Sequence, residues 1–157
     1  MKIKLLTIGK TDDAELAHLI QKYESRLKHY IQFSLEIIPD LKNTKNLTKE
    51  VQKEKEGDFI LGKISTSDRM VLLDENGTSF DSIEFSKFLQ KQMNSGIKQL
   101  VFVIGGPYGF SEKIYEKSQR KISLSKMTFS HQMVRLFAVE QIYRGFTILK
   151  NEPYHHQ

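Results

Sequence analysis

Apolar residues along the chain fall into two alternating patterns. Five short runs predict β-strands: Lys2 to Ile8, Phe33 to Ile38, Met70 to Leu73, Gln99 to Ile104 and Lys121 to Ser125. Five stretches with helical spacing or helix-start signals predict α-helices: Asp12 to Tyr30, Thr48 to Lys63, Ser82 to Asn94, a helix from about Ser111, and Gln132 to Leu149. Strand and helix therefore alternate along the sequence.

This alternation predicts an α/β fold with a parallel-type sheet and helices on both faces. The strand Gln99 to Ile104 is apolar along its length, which is typical of a strand buried on both faces of a parallel sheet. The sequence has no internal repeat, low-complexity tract or linker, and its 157 residues are close to the usual size of one domain. We therefore expect a single domain over residues 1–157.

Local signals indicate where several elements begin and end. Thr11 is the expected N-cap of the first helix, and Ser82 that of the third. The segment Asp74 to Gly77 has the composition of a turn that ends the third strand. The expected buried face of the second helix consists of Val51, Phe59, Ile60 and Leu61.

The last predicted helix is apolar around its whole circumference. Its apolar residues are Met133, Val134, Leu136, Phe137, Ala138, Val139, Ile142, Tyr143, Phe146, Ile148 and Leu149. One face of a sheet cannot cover such a helix, so a second packing surface is implied, most simply that of another subunit.

Composition excludes several classes of site and of location. The chain has no cysteine, so a disulfide framework, a thiolate metal site and a cysteine nucleophile are all unavailable. No apolar stretch approaches the roughly 20 residues of a spanning helix, and the start is too broken by charge for a signal sequence. We expect a soluble, cytoplasmic protein without a membrane partner.

The formal net charge of +5 favours a polyanionic partner only weakly. From Ser111 to Gln157 there are eight Lys or Arg residues against four Glu, a balance of +4. The basic excess therefore lies in the last third of the chain.

Glycines directly after the fourth strand indicate a ligand site. Gly105, Gly106 and Gly109 let a ligand approach the backbone, and the helix start that follows offers free N–H groups. The spacing matches neither the dinucleotide motif GxGxxG nor the phosphate loop GxxxxGK[ST]. A tight turn without a ligand is the alternative interpretation.

A polar loop leads from the fifth strand into the last helix. Its Ser and Thr hydroxyls and its backbone amides suit the sugar and base edges of a ligand, with Met127 and Phe129 as apolar contacts. Met127 and Phe129 could equally be core residues, and Ser130 a plain N-cap. We expect a structural role for His131.

The tail Asn151 to Gln157 joins an aromatic residue to two imidazoles. His is the side chain that transfers protons near neutral pH, and a Tyr ring stacks on bases. Tyr154 and His155 are therefore candidates for chemistry, and a loose end is the alternative. Adjacent histidines do not give converging metal ligands, so we expect no metal site.

Four motifs in order resemble one family. They are Ile104 to Gly109 (IGGPYG), Leu124 to Arg135 (LSKMTFSHQMVR), Glu140 to Arg144 (EQIYR) and Pro153 to His155 (PYH). The chain resembles the bacterial family of ribosomal RNA large subunit methyltransferase H over essentially its whole length.

The resemblance implies properties that the residue pattern alone does not give. It implies a SPOUT-class domain with a C-terminal trefoil knot, although physical rules make knots nearly absent. It implies a homodimer that uses S-adenosylmethionine to methylate N3 of a pseudouridine in 23S rRNA. The partner would be the 50S subunit or the assembled 70S ribosome, and not DNA.

The resemblance also assigns residues to the site. The cofactor positions would be Leu73, Gly105, Leu124, Ser125, Lys126, Met127, Thr128 and Phe129. We expect His155 near the N3 proton, as base or orienting donor, and Tyr154 against the uracil ring. Arg135 and Arg144 would hold phosphate or orient the base, and Glu140 would pair with Arg144.

Two other functions remain open at this point. A SPOUT tRNA methyltransferase usually carries an added RNA-binding domain, and we expect none within these 157 residues. A ribosome-binding factor could keep the fold without the chemistry. Ser130 stands where the family commonly has proline, and the residues after His155 leave the position of the tail open.

Overall fold

The computed structural model describes residues 1–156, so Gln157, the last residue of the predicted tail, lies outside the described residues. The strands are β1 (Lys2–Ile8), β2 (Gln32–Ile38), β3 (Arg69–Ser79), β4 (Gln99–Ile104) and β5 (Arg120–Ser123). The helices are α1 (Ala14–Leu27), α2 (Lys49–Gly62), α3 (Ser82–Asn94), α4 (Glu112–Lys117) and α5 (Met133–Leu149), with a short 3-10 turn at Thr44–Asn46. The predicted order of strands and helices is confirmed.

The strands form one sheet in the order β2-β1-β4-β3-β5, and all four neighbouring pairs are parallel. The predicted parallel sheet is therefore confirmed. Since the strands share one direction, their carboxyl ends meet at a single edge of the sheet. The last residues of β4 and β5, Ile104 and Ser123, lie at that edge together with Leu73 of β3.

Helices cover both faces of the sheet, as predicted. On one face the buried side chains of the strands pack with those of α1, α3 and α5. On the other face they pack with Ile60 of α2 and Ile114 of α4. Leu100 to Ile104 are buried throughout because alternate side chains of β4 enter the two separate cores.

The caps of two helices lie one or two residues from their predicted positions. Asp13, not Thr11, caps α1, and its carboxylate accepts a hydrogen bond from the Leu16 amide at 2.8 Å. Asp81, not Ser82, caps α3 in a reciprocal capping box with Glu84. A carboxylate at the N-terminus also interacts favourably with the helix dipole, which a hydroxyl does not.

The predicted buried face of α2 is partly wrong. Val51 and Phe59 are exposed, at 42% and 52% of their surface, while Ile60 is buried. Because neighbouring residues on a helix point about 100° apart, Phe59 and Ile60 cannot share a face. The inner face is completed by Glu56 and Gly57, and Gly57 lies close to α4.

The third strand does not end at the predicted turn. It continues through residues 74–77 to Ser79, and Leu73 and Thr78 both lie opposite Ile122 of β5. The intervening residues form a bulge. At Gly77 a Cβ atom would lie 2.6 Å from the backbone of Ile122, so the bulge lies directly against β5.

The last helix packs against α1 and α3 but leaves apolar surface uncovered. Its buried residues include Arg135, Val139, Ile142 and Phe146. Met133 and Phe137 stay exposed, at 40% and 36%. No helix within residues 1–156 has both the length and the apolar character that a membrane span needs.

Candidate active site

A cavity of about 490 Å³ opens at the carboxyl ends of β4 and β5, beside the bulge of β3. It is lined by residues 73–76, 104–110, 123–125 and 127–129, together with Tyr115, His131 and Val134. Its volume is in the range of small-molecule sites, and the carboxyl edge of a parallel sheet is where such ligands bind in α/β folds. The glycine-rich turn is therefore part of a cavity wall.

Glycines let the 104–110 loop lie close to buried groups. A Cβ atom on Gly105 would lie 3.1 Å from the Phe110 ring, and one on Gly106 would lie 2.5 Å from a carboxylate oxygen of Glu56. Gly109 has φ +77°, a conformation that favours glycine. The backbone of this loop is thus held against the protein on one side and lines the cavity on the other.

Glu56 supports this loop from below, and sequence reasoning missed it. Its side chain is only 4% exposed and accepts a hydrogen bond from Gln52 at 3.0 Å. Burial raises the pKa of Glu56, and the nearby charge of Asp40 raises it further. Its position four residues before Ile60, on the same helix face, is the signal that could have identified it.

Two acidic residues of the β3 bulge also line the cavity, where the sequence had indicated only a turn. Asp74 accepts hydrogen bonds from the Tyr115 hydroxyl at 2.7 Å and from the Asn76 amide at 2.8 Å. Glu75 accepts one from the Thr128 hydroxyl at 3.2 Å. Burial and the bond to Asp74 raise the pKa of Tyr115 to about 12, so its hydroxyl stays a donor at neutral pH.

Seven of the eight predicted cofactor residues line this cavity. They are Leu73, Gly105, Leu124, Ser125, Met127, Thr128 and Phe129. Lys126 lies in the same loop but does not line the cavity. Hydrogen bonds from Ser123 to the Ser125 carbonyl, at 2.7 Å, and from the Met127 amide to the Ser125 hydroxyl, at 2.9 Å, shape the loop.

The groups around the cavity fit S-adenosylmethionine. The 104–110, 123–125 and 127–129 segments line the cavity and would offer their polar groups to a base and a ribose, while Leu73, Ile104 and Val134 provide apolar surface. The carboxylates of Asp74 and Glu75 suit the cationic end of that molecule. A cavity that combines loop backbone, apolar side chains and two carboxylates therefore fits the ligand that the motifs imply.

A second group of predicted site residues lies on the outer side of α5. We define the tail cluster as Tyr23, Glu140, Arg144, Tyr154 and His155. Its hydrogen bonds meet at one oxygen of Glu140, which accepts from the Tyr154 hydroxyl at 3.0 Å and from Arg144 at 2.6 Å. The Tyr23 and Tyr154 hydroxyls lie 3.2 Å apart, and Arg144 reaches His155 Nδ1 at 3.3 Å. The predicted pair of Glu140 and Arg144 is confirmed.

The tail folds back along α5. The chain reverses at Asn151, with φ +55°, and the Glu152 amide donates to the Thr147 carbonyl at 2.9 Å. The Tyr154 ring packs edge-on against Tyr143, with ring centres 4.8 Å apart. Burial, with hydrogen bonds to Tyr23 and Glu140, raises the pKa of Tyr154. Residues 151–155 of the tail are therefore packed against the rest of the fold and are not a loose end.

The tail cluster and the cavity are separate within one chain. None of Arg144, Tyr154 and His155 lines the cavity. Val134 lies at its rim, and Arg144 follows ten residues later on the same helix, about 15 Å away at a rise of roughly 1.5 Å per residue. The structure thus brings the predicted cofactor residues together, but none of the four predicted catalytic residues lines the cavity.

Arg135 belongs to neither group, so its predicted role as a phosphate or base contact is not supported by its position. Its side chain is 1% exposed and donates to the Ile8 and Gly9 carbonyls, each at 2.8 Å. It also donates to the His131 carbonyl at 3.0 Å. Arg135 therefore ties the end of β1 to the start of α5, because buried carbonyl groups require donors.

The start of α5 completes the cavity rim. The N-cap of α5 is Gln132, not Ser130, although the Ser130 hydroxyl accepts a hydrogen bond from the Met133 amide at 3.1 Å. His131 lines the cavity, and its carbonyl binds Arg135.

Comparisons with known proteins identify the family of this chain. A family profile described as "Predicted SPOUT methyltransferase" matches residues 1–155. The chain is 68% identical to a protein from Flavobacterium johnsoniae, 58% to one from Parabacteroides distasonis and 52% to one from Bacteroides fragilis. All three are named ribosomal RNA large subunit methyltransferase H, and each match covers 100% of both chains. The chain therefore belongs to the SPOUT methyltransferases and, among them, to the family of ribosomal RNA large subunit methyltransferase H.

Proposed function

We propose that the protein transfers a methyl group from S-adenosylmethionine to N3 of a pseudouridine in 23S rRNA, within the 50S subunit or the 70S ribosome. The observation that carries this proposal is the cavity at the carboxyl ends of β4 and β5, beside the bulge of β3. The loops that carry the family's motifs line this cavity. The chain is also 68% identical to a relative named ribosomal RNA large subunit methyltransferase H.

The donor is held by the lining residues. Leu73 and Gly105 would contact the adenosyl part, and the backbone and hydroxyls of residues 124–129 would bind its polar edges. When bound, S-adenosylmethionine supplies an electrophilic methyl group. The protein then has to align the acceptor nitrogen and assist loss of its proton.

The residues of the tail cluster align the acceptor nitrogen and assist loss of its proton. His155 accepts or orients the N3 proton, and Tyr154 positions the uracil ring. Arg144 orients the base or binds a phosphate, while Glu140 holds both Tyr154 and Arg144 in place. Arg135 acts at a distance, by fixing the start of α5 beside the cavity.

The protein would act as a homodimer. Met133 and Phe137 are exposed on α5, and the Phe137 ring packs on the exposed Phe129 ring with centres 4.8 Å apart. Such a surface suits a second copy of the chain. Because the tail cluster lies away from its own cavity, the second copy would also bring a tail to that cavity.

Three further properties accompany this proposal. We propose one domain over residues 1–157, with its C-terminal segment threaded as a trefoil knot as in the SPOUT class. The close contact of Gly77 with β5 fits a chain that is tightly enclosed there. A ribosomal substrate also implies that the protein works in the cytoplasm.

A methylation assay tests the proposed function. The full-length protein is incubated with labelled S-adenosylmethionine and naked 23S rRNA, 50S subunits, 70S ribosomes or tRNA, and the nucleosides are identified by mass spectrometry. We expect 3-methylpseudouridine from 50S or 70S particles and much less from naked rRNA. Label in tRNA would indicate a tRNA methyltransferase. Ribosome binding without affinity for the donor would indicate a binding factor.

A further inference from the structure

One wall of the cavity is acidic, although the protein is basic. Asp74 and Glu75 both line the cavity, whereas no lysine or arginine within residues 1–156 does. The whole chain carries a formal charge of +5. The charge of the cavity is therefore opposite to that of the protein around it.

Within residues 1–156, no ion pair neutralises this wall. The hydrogen-bond donors to Asp74 and Glu75 are a tyrosine hydroxyl, a backbone amide and a threonine hydroxyl, all of them neutral. The ion pairs found within the described chain involve other acidic residues: Glu36, Glu54, Asp58 and Glu140. Lys121 lies over the Tyr115 ring, 5.2 Å from its centre, and forms no ion pair with Asp74. Both charges are thus available to a ligand.

We propose that Asp74 and Glu75 are specificity-determining residues that favour the methyl donor over its product by charge. The inference rests on the proposed function, since it takes the cavity as the donor site. S-adenosylmethionine is a sulfonium and S-adenosylhomocysteine a neutral thioether of nearly the same shape, so the two differ by one positive charge. An acidic wall stabilises the first more than the second and so assists release of product.

Calorimetry with both ligands tests this. The full-length protein, Glu75→Gln and Asp74→Asn are titrated with S-adenosylmethionine, with S-adenosylhomocysteine and with sinefungin, whose protonated amine replaces the sulfonium. We expect each substitution to weaken the two cationic ligands about fivefold and the neutral product less than about twofold, as for a partly solvated charge pair. Salt at about 0.5 M should reduce the difference.

Two matched variants make the result specific. Glu15→Gln removes an exposed carboxylate that does not line the cavity, and it should leave all three affinities unchanged. Thr128→Val removes the hydrogen bond to Glu75 but keeps the charge, so it should change donor and product affinities by equal factors. If Glu75→Gln and Asp74→Asn also weaken donor and product equally, the charge proposal is overturned while the proposed function stands. If the unmodified protein binds neither ligand, the proposed function fails as well.

Discussion

The cavity and the tail cluster are built in opposite ways. The cavity is made of loops at the ends of parallel strands, where glycines bring the backbone close to neighbouring groups. The tail cluster is made of side chains from α1, α5 and the tail, whose hydrogen bonds meet at Glu140. The position of the cavity follows from the topology of the sheet, whereas the position of the tail cluster depends on individual side chains. Substitutions should therefore separate donor binding from methyl transfer.

The largest effect is expected in the tail. His155→Ala removes the group proposed to act on the N3 proton, and such groups typically contribute at least about 100-fold to rate. Methylation of ribosomes should fall by about that factor, with donor affinity by calorimetry unchanged. Tyr154→Phe loses the hydroxyl that is bonded to Glu140, and its methylation rate should decrease by a smaller factor.

The neighbouring His156→Ala is the matched control and should keep the normal rate. If His155→Ala and Tyr154→Phe bind the donor and methylate ribosomes at the wild-type rate, the tail has no part in the chemistry. The cavity alone would then have to supply it.

The next effect concerns stability. Arg135→Met leaves the buried carbonyls of Ile8 and Gly9 without this donor, and also removes the bond to the His131 carbonyl, which should cost about 3 kcal/mol of unfolding free energy in urea. Lys117→Met, at an exposed position, should change it by less than about 0.5 kcal/mol. If Arg135→Met keeps the normal unfolding free energy but binds ribosomes more weakly, Arg135 contacts phosphate and does not stabilise the fold.

Gly77→Ala tests the dependence of the cavity on its backbone. The new Cβ atom would lie 2.6 Å from the backbone of Ile122, so the bulge has to shift, at a cost of about 2 kcal/mol. Donor affinity should fall with it, because Asp74 to Asn76 line the cavity. Gly62→Ala, which meets nothing within 4 Å, is the control and should be neutral or slightly stabilising.

Glu140→Gln should lower methylation without changing donor affinity, and its effect should be smaller than those above. The amide keeps an acceptor oxygen but loses the charge that holds Arg144, so we expect about a tenfold loss of methylation, the size of one charge-assisted hydrogen bond. Donor affinity should be unchanged, and equal losses of both would show that the cluster also shapes the cavity.

The smallest effect is a pH dependence. Burial raises the pKa of Glu56 above its ordinary value of 4.5. At pH values between the ordinary pKa and the raised pKa of Glu56, the folded protein holds more protons than the unfolded chain. The unfolding free energy therefore decreases as pH rises through that window. Glu56→Gln should therefore flatten the stability profile above about pH 4.5 in urea titrations, by removing this ionisable group. If the unfolding free energy of Glu56→Gln has the same pH dependence as that of the unmodified protein, Glu56 is not the source of this dependence.

The sequence predicts the elements well where packing follows a simple period. Strands β1 and β4 match their predicted bounds because most of their residues are apolar and buried. It does not predict the extension of β3, since residues 74–77 have the composition of a turn yet form a bulge beside β5. The buried face of α2 depends on α4, a partner that spacing along one helix cannot reveal.

The site could be predicted in the same uneven way. Glycines after a buried strand mark the cavity, because their conformational role is visible in the chain itself. The motif that contains Arg135 suggests chemistry but gives no sign that the side chain is buried under the end of β1. The distance between the tail and the cavity depends on how α5 packs, which no local pattern specifies.

The pairing of β1 has a consequence for biosynthesis. Lys2 pairs with Gln99, and Arg135 binds the end of the same strand, so β1 completes its contacts only after much later parts of the chain have been synthesised. Contacts of such high sequence separation slow folding relative to local helix formation. The nascent chain can form α1 and the β1–β2 pair early, but the sheet closes and the donor cavity forms only after most of the chain has left the ribosome.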